Sequence, residues 1–308
     1  MKVNNRNRPR QGFTLIEMLV VILIIAVLVA LTAGVVLKIL GKGPEVQRRS
    51  DISQLSDAIA QFRQVFKLTE PPPSRFALRM DITAYTTDKL EAESKLFLQK
   101  IFSYRIGLDQ NGNKIPLAWA GYDASGNPIP FAQPTYLSGD QCLVFFLGGI
   151  TDGSPPVCQG FSSNSRNPTA QGGERKGPFY NFESNRLVQS NGFYSYNDPY
   201  GTQARPNVYA YFSSYKTNNG YNRYKDASGN PVSDCANPNL NPPLYVWPYY
   251  SSAGKYYNPK SFQIISAGKD LSFGCNDPNS RPWSPGNLSD SKMEDDLSNF
   301  YDYVLGAK

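Results

Sequence analysis

Two positions near the start of the chain have residue types and spacing that can do chemistry. Gly12 separates a short polar leader carrying Lys2, Arg6, Arg8 and Arg10 from a long apolar run that starts at Phe13. A secretory signal places its small-residue cleavage site after the apolar region. Here the small residue comes first. Cutting after Gly12 removes the charged leader and leaves the apolar helix on the mature chain, with Phe13 as the new N-terminus. Glu17 then becomes the fifth residue, and it is the one charge between Phe13 and Lys38. A carboxylate inside a bilayer costs several kcal/mol unless it is paired, so an acid here points to function.

The basic leader, Gly12, Phe13-Thr14-Leu15-Ile16-Glu17 and the apolar run together resemble the class III signal of the type IV pilin superfamily. The resemblance covers about the first 40 residues. It implies cleavage after Gly12 by a prepilin peptidase, N-methylation of Phe13 and assembly of many copies into a helical filament. In such a filament the amine of Phe13 in one subunit can pair with Glu17 of another, and burial makes that pair costly to break from one side. The plainer alternative, a membrane anchor with an interfacial acid, leaves the leader and the Gly-Phe junction unexplained.

A run from Phe13 to Leu40 is about 28 residues. As a helix it rises about 42 Å, enough to cross a hydrocarbon core of about 30 Å. The excess of positive charge upstream places the N-terminus in the cytoplasm and the remainder of the chain in the periplasm. Gly41-Lys42-Gly43-Pro44 predicts a kink or a melted turn. Beyond it, Ile52, Leu55, Ile59, Phe62 and Phe66 recur at spacings of three and four, one apolar stripe on an amphipathic helix. Arg48, Arg49, Asp51, Asp57 and Arg63 are assigned to its other faces, and Pro71-Pro72-Pro73 ends it.

The formal net charge of +6 includes the four leader cations, so the mature chain is nearly neutral and no basic field for nucleic acid is expected. Tyr (20), Gly (25) and Pro (24) are abundant, the profile of a loop-rich extracytoplasmic surface. Histidine is absent, which excludes a Ser-His-Asp triad, a Cys-His dyad and a His-ligated metal. The four cysteines, Cys142, Cys158, Cys235 and Cys275, lack Cys-x-x-Cys spacing and lie beyond the apolar run. On the oxidising side of a membrane they read as two disulfides. Three pairings are open; Cys142–Cys158 and Cys235–Cys275 close modest loops and are favoured, and four buried free thiols are the alternative.

Between Ser74 and Lys176 the alternation of Phe76, Leu78, Met80 and Ile82 predicts a strand. Thr87 is a candidate cap for a helix to about Tyr104 with Leu90, Phe97 and Ile101 on one side. Ser138 to Leu147 reads equally as a short helix or a buried strand. Ser162 to Gly177 reads as a polar loop. Three copies of one pattern, Asp109–Asn113, Asp123–Asn127 and Asp226–Asn230, suit a turn with Gly in the left-handed region and predict three hairpin tips. They lack the alternating acids and closing Glu of an EF-hand.

A second resemblance lies in the C-terminal half. Asp198-Pro199-Tyr200-Gly201 followed by Pro206, Tyr209 and Tyr211 resembles the Asp-Pro-Trp-Gly … Pro-Tyr-x-Tyr element of the major pseudopilin of type II secretion, with Tyr in place of Trp. Phe262–Asp270 resembles that family's penultimate strand and turn, and Asp295-Asp296-Leu297-Ser298-Asn299-Phe300 its terminal element. This resemblance implies that Val208–Phe212 and Phe262–Ser266 are strands of a small antiparallel sheet packed on the spine helix. It also implies calcium held by a C-terminal loop, with Asp270, Asp295 and Asp296 at the matching positions and Glu294 as a substitute. The connection is longer here and carries Cys275, so a disulfide could replace the metal as a staple; solvated loop acids are the remaining alternative.

The expected fold is α+β and pilin-like. A long N-terminal transmembrane spine helix packs on a small antiparallel sheet, with a large insertion and long loops. The expected organisation is a cleaved leader at 1–12, a transmembrane helix at 13–40, its amphipathic continuation at 41–70, an insertion at 71–176 and a pseudopilin-like sheet region at 177–308. The expected function is structural and not enzymatic, a pseudopilin subunit of a type II secretion filament on the inner membrane. Expected partners are further copies of the chain, the prepilin peptidase, the inner-membrane assembly platform, minor pseudopilins and membrane lipid, with no nucleic acid. The alternatives are an adhesive or DNA-uptake pilin and a membrane-anchored glycan-binding module using the tyrosine-rich stretches Tyr194–Tyr224 and Tyr245–Tyr257.

Overall fold

The computed structural model describes residues 14–252, 254–274, 283–284 and 291–306, with 31–42 and Ser291 as backbone only. The chain is α+β and divides into two compact units, Met1–Val46 and Gln47–Lys308. Helix α1 (Leu15–Val65, 51 residues) contributes to both. Its backbone remains helical through Gly41-Lys42-Gly43-Pro44, with Pro44 inside the helix, so the expected melted turn is not formed. A proline forfeits one backbone bond, a local loss, and the side-chain burial that begins four residues later at Arg48 offsets it. Among the described residues no helix is long and apolar enough to cross a membrane. The described side chains of the apolar run stop at Ala30, short of its end in the sequence.

In the first unit the described apolar side chains from Leu15 to Val27 are 45–83% exposed. In the second unit the predicted stripe is the buried face: Ile52, Leu55, Ile59, Phe62 and Phe66 are each at most 7% exposed, and Ala58 is buried beside them. The stripe packs in one core with Phe76, Phe97, Phe146, Tyr209, Tyr211 and Ile264. Burial of each such aliphatic or aromatic side chain contributes about 1.5–3 kcal/mol, before conformational entropy is set against it.

A three-stranded antiparallel sheet lies next to this core. Its central strand, Phe262–Ser266, pairs with Ala210–Ser213 through Ile264↔Tyr211 and with Leu297–Ser298 through Ile265↔Ser298. The resemblance implies Phe262–Ser266 as found and Val208–Phe212, which begins two residues before the observed Ala210–Ser213, and it does not name Leu297–Ser298 as a strand. Every residue of the central strand is buried, because a second cluster containing Ala210, Phe212, Ile265, Tyr249, Trp283 and Met293 covers the other face. Gln263 is tolerated inside because its amide bonds the Tyr249 amide (2.8 Å), the Tyr249 carbonyl (2.8 Å) and the Tyr257 carbonyl (2.9 Å).

The region between spine and sheet enters the same core. Helix α2 (Lys89–Ile101) is capped by Asp88, one residue after the predicted Thr87, and buries Leu90, Phe97 and Ile101 as its spacing predicts. Helix α3 (Gly139–Gly148) resolves the helix-or-strand ambiguity, and all ten of its residues are buried. Gly139 permits this seating: a Cβ there would stand 1.9 Å from the Tyr211 carbonyl oxygen. The predicted strand is confined to Phe76–Leu78, paired with Thr135–Leu137, and Ile82 starts a 3-10 turn instead. Ser162 to Gly177 is not an open loop. Phe161–Ser162 pairs with Arg175–Lys176, and Arg175 donates to the carbonyls of Gln159, Gly160 and Ala170.

The three repeated turns are hairpin tips. Gly112, Gly126 and Gly229 take φ of +88°, +80° and +83°, and isolated bridges Leu108↔Lys114, Tyr122↔Pro128 and Lys225↔Pro231 close the tips. Each Asp accepts bonds from the amides two and four residues ahead, as at Asp109 to Asn111 and Asn113, both 2.8 Å. Those bonds use the carboxylates locally, as turn chemistry requires.

Candidate functional site

Gly12 and Phe13 lie outside the described residues. Glu17 lies in the first turn of α1. Its Oε2 accepts from the Thr14 amide and the Thr14 hydroxyl, both 2.8 Å, and Thr14 Oγ1 accepts in return from the Glu17 amide at 3.3 Å. This is a reciprocal capping box, Thr-x-x-Glu before an apolar run, and the pattern was legible in the sequence. Glu17 therefore caps the helix start.

The second functional cluster fixes α1 to the sheet. Arg48 and Asp51, assigned from the sequence to the outer faces, are 2% and 5% exposed. The assignment fails because 48, 51, 55, 59 and 62 share the three- and four-residue spacing of the apolar stripe. Arg48 Nε donates to Ser266 Oγ at 2.9 Å, and its Nη2 to the carbonyls of Asp295 (2.7 Å) and Ser266 (3.2 Å). Asp198 stands 3.8 Å from Arg48. Its carboxylate accepts from Ser266 Oγ (2.6 Å), Asn207 Nδ2 (2.9 Å) and the Tyr200 and Gly201 amides (2.8 and 3.1 Å). Burial pushes Asp198 above the usual carboxylate range, against those hydrogen bonds and the Arg48 charge. The three C-terminal elements that carried the second resemblance thus meet around one arginine of the spine helix.

Asp51, one helical turn further on, holds the adjoining part. Arg186 Nη2 donates to Asp51 Oδ2 at 2.6 Å, Tyr209 Oη to the same oxygen at 2.8 Å, and Tyr180 Oη to Oδ1 at 3.3 Å. Arg186 is further bound to the Asn197 carbonyl (2.7 Å) and lies 4.3 Å over the Tyr196 ring. These groups are saturated and shut off from solvent, which is the chemistry of a structural clamp.

The C-terminal acids divide. Asp295 Oδ2 accepts from the amides of Lys269 (2.5 Å) and Asp270 (3.3 Å), closing the turn after the central strand. Burial and then the neighbouring Asp295 raise the Asp270 carboxyl. Asp296 turns elsewhere: Tyr249 Oη (2.5 Å) and the Gly274 amide (3.1 Å) donate to its Oδ2. Burial raises Asp296 well above the usual carboxylate range. Among the described residues no group of three or more His, Cys, Asp or Glu could hold a metal ion, so Asp270, Asp295 and Asp296 are not gathered into one.

The expected disulfides are not formed among the described residues: Cys142, Cys158 and Cys235 are free and buried. Cys142 sits at the start of α3 facing the Leu137 carbonyl, while Cys158 packs on Gly148 at its end. Cys275 lies outside the described residues. Burial raises the Cys158 thiol to about 11, and burial followed by the Asp140 charge raises Cys142 and Cys235 well above the ordinary value. All three are protonated and inert at neutral pH.

Residues 7–33 match the family model of the prokaryotic N-terminal methylation motif. That stretch contains Gly12, Phe13 and Glu17, so the chain carries the N-terminal signal of type IV pilins and pseudopilins. No curated protein and no solved structure matches the chain.

Proposed function

We propose that this chain is a structural subunit of a pilus-like filament of the type II secretion kind, cut after Gly12 by a prepilin peptidase, methylated at Phe13 and assembled from the inner membrane. The methylation motif at residues 7–33 is the observation that carries the reading. The described half of the first unit supports it. A helix apolar on all sides and 45–83% exposed in isolation needs lipid or neighbouring helices around it. The preference for secretion over an adhesive or DNA-uptake pilus rests on the Asp198-Pro199-Tyr200-Gly201 element and the two C-terminal elements around Arg48. In this reading the first unit crosses the membrane with its N-terminus in the cytoplasm, and the second is periplasmic. The peptidase, the assembly platform, minor pseudopilins and lipid are its partners.

Intact mass of protein extracted from the native membrane tests the processing. The expected species lacks residues 1–12 and carries one added methyl group. An uncut chain beginning at Met1 sinks the reading. Calcium at Asp270, Asp295 and Asp296 is a separate proposal. Calcium takes six to eight oxygens, and carboxylates from the two C-terminal stretches are the donors the resemblance implies. A chelator that lowers the melting temperature of the purified protein is its test, and an unchanged melting curve removes it.

A further inference from the structure

The described surface has one open cleft whose lining is dominated by cations. It has a volume of about 400 Å³ and is lined by Arg75, Lys89, Tyr136, Arg223, Tyr224 and Lys225, with Asp88 its one acid. Asp88 is committed: its Oδ1 caps α2 through the Leu90 and Glu91 amides at 3.0 and 3.2 Å. Arg223 is also satisfied, with Glu93 at 2.9 Å. Of the other three cations, Arg75 acts on a buried acid, Asp234, without forming an ion pair with it. Arg75 donates to the Ser233 carbonyl at 3.2 Å, and Lys89 lies 5.7 Å over the Tyr224 ring. Lys225 is exposed at the base of the third hairpin tip. Among the described residues none of Arg75, Lys89 and Lys225 forms an ion pair. Like charges lining one concavity repel one another, and an anion relieves that repulsion.

The shape narrows the chemistry. Tyr136 is 45% exposed and presents an apolar face at the cleft. Tyr224 is held in place by its hydroxyl, which donates to Glu93 at 2.7 Å. A volume of about 400 Å³ falls in the range of small-ligand sites and suits one or two rings. The basic field does not extend into a stripe, since Glu93 and Asp226 flank it. A nucleic-acid backbone needs a track of cations along its length, whereas one acidic ring needs a single cluster beside an aromatic face.

We propose that this cleft binds an anionic sugar, a carboxylated or sulfated unit of a polysaccharide, with its acid group held by Arg75, Lys89 and Lys225 and its ring lying on Tyr136. The inference stands on the cleft alone and does not depend on filament assembly.

The test uses the full mature chain in detergent, titrated with a heparin-derived sulfated tetrasaccharide at low ionic strength. Saturable binding is expected, weakening as salt screens the cleft. The Lys89→Ala, Lys225→Ala double variant should bind about tenfold more weakly with an unchanged melting temperature, because both side chains are exposed. Tyr136→Ala should weaken binding several-fold. Uncharged maltotetraose should not bind. The proposal is overturned by the absence of saturable binding, by a double variant that binds like the wild type, or by equal affinity for maltotetraose. It is also overturned if a single-stranded oligonucleotide binds more tightly than the sulfated sugar through the same lysines.

Discussion

The two halves of α1 treat charge and burial in opposite ways. From Leu15 to Val27 the helix is apolar on every side and exposed. Its single acid, Glu17, is an exposed capping group. From Arg48 to Phe62 the helix is amphipathic, and two charged residues lie inside its buried stripe with complete sets of partners. A helix whose cover comes from its own chain can bury charges, because the chain supplies the groups that answer them. A helix that presents apolar residues on every side has no such groups of its own chain around it, and on the proposed function its cover comes from lipid or other copies.

Glu17→Gln probes that difference where the effect should be largest. Glutamine retains an acceptor for the Thr14 amide, so the helix start and insertion should survive. What is lost is the charge that the proposed function pairs with the Phe13 amine of another subunit. Cleavage should continue while sheared filaments disappear, read beside a blot for equal mature protein. Filaments at wild-type yield would reduce Glu17 to a capping residue and erase the contrast with the second half.

Asp51→Ala tests the other half. It leaves Arg186, Tyr209 and Tyr180 buried without their acceptor. Removing one partner of such a pair costs about 3–5 kcal/mol, and replacing both Asp51 and Arg186 by apolar residues should restore much of that loss. Urea unfolding of the full chain measures both. A loss under about 1 kcal/mol would show that the clamp is not what seats the spine on the sheet.

The sequence made the scaffold legible wherever the signal was local. The stripe Ile52–Phe66, the face of α2 and the three glycine-closed tips follow from period, cap and turn chemistry, whereas the central strand is implied by the C-terminal resemblance. The capping box at Thr14 and Glu17 was equally local and went unread. Arg48 and Asp51 were misplaced because residue type was allowed to overrule spacing, although both lie on the stripe. What sequence could not carry was non-local. The partners of Arg48 lie at Asp198, Ser266 and Asp295, and no periodicity links them. The cysteine pairing failed for a related reason: loop length says nothing about where the fold buries each thiol, and Cys142, Cys158 and Cys235 are each free and buried. Helix α3, buried on all faces, has no amphipathic signature for a sequence to display.

The smallest of these effects concerns a charge that the second unit has enclosed without fully answering. Asp234 is 2% exposed, and its Oδ2 accepts from Ser74 Oγ (2.9 Å) and the Asn222 amide (3.1 Å). Its Oδ1 has no hydrogen-bond partner. Burial raises its pKa from 3.8 to about 6, against those bonds and the charges of Arg75 and Arg223. The folded chain therefore holds the proton more tightly than the unfolded chain. The stability this gives is complete below about pH 4 and is lost as pH rises through about 6. Asp234→Asn keeps the oxygen that Ser74 and Asn222 use and places an uncharged group at the unpartnered position. The variant should be more stable than the wild type at pH 7, by at most about 3 kcal/mol, with the difference shrinking towards pH 4. Urea midpoints measured across that range decide it. Parallel curves would mean that Asp234 titrates normally, and that the second unit answers this charge as completely as it answers Asp51.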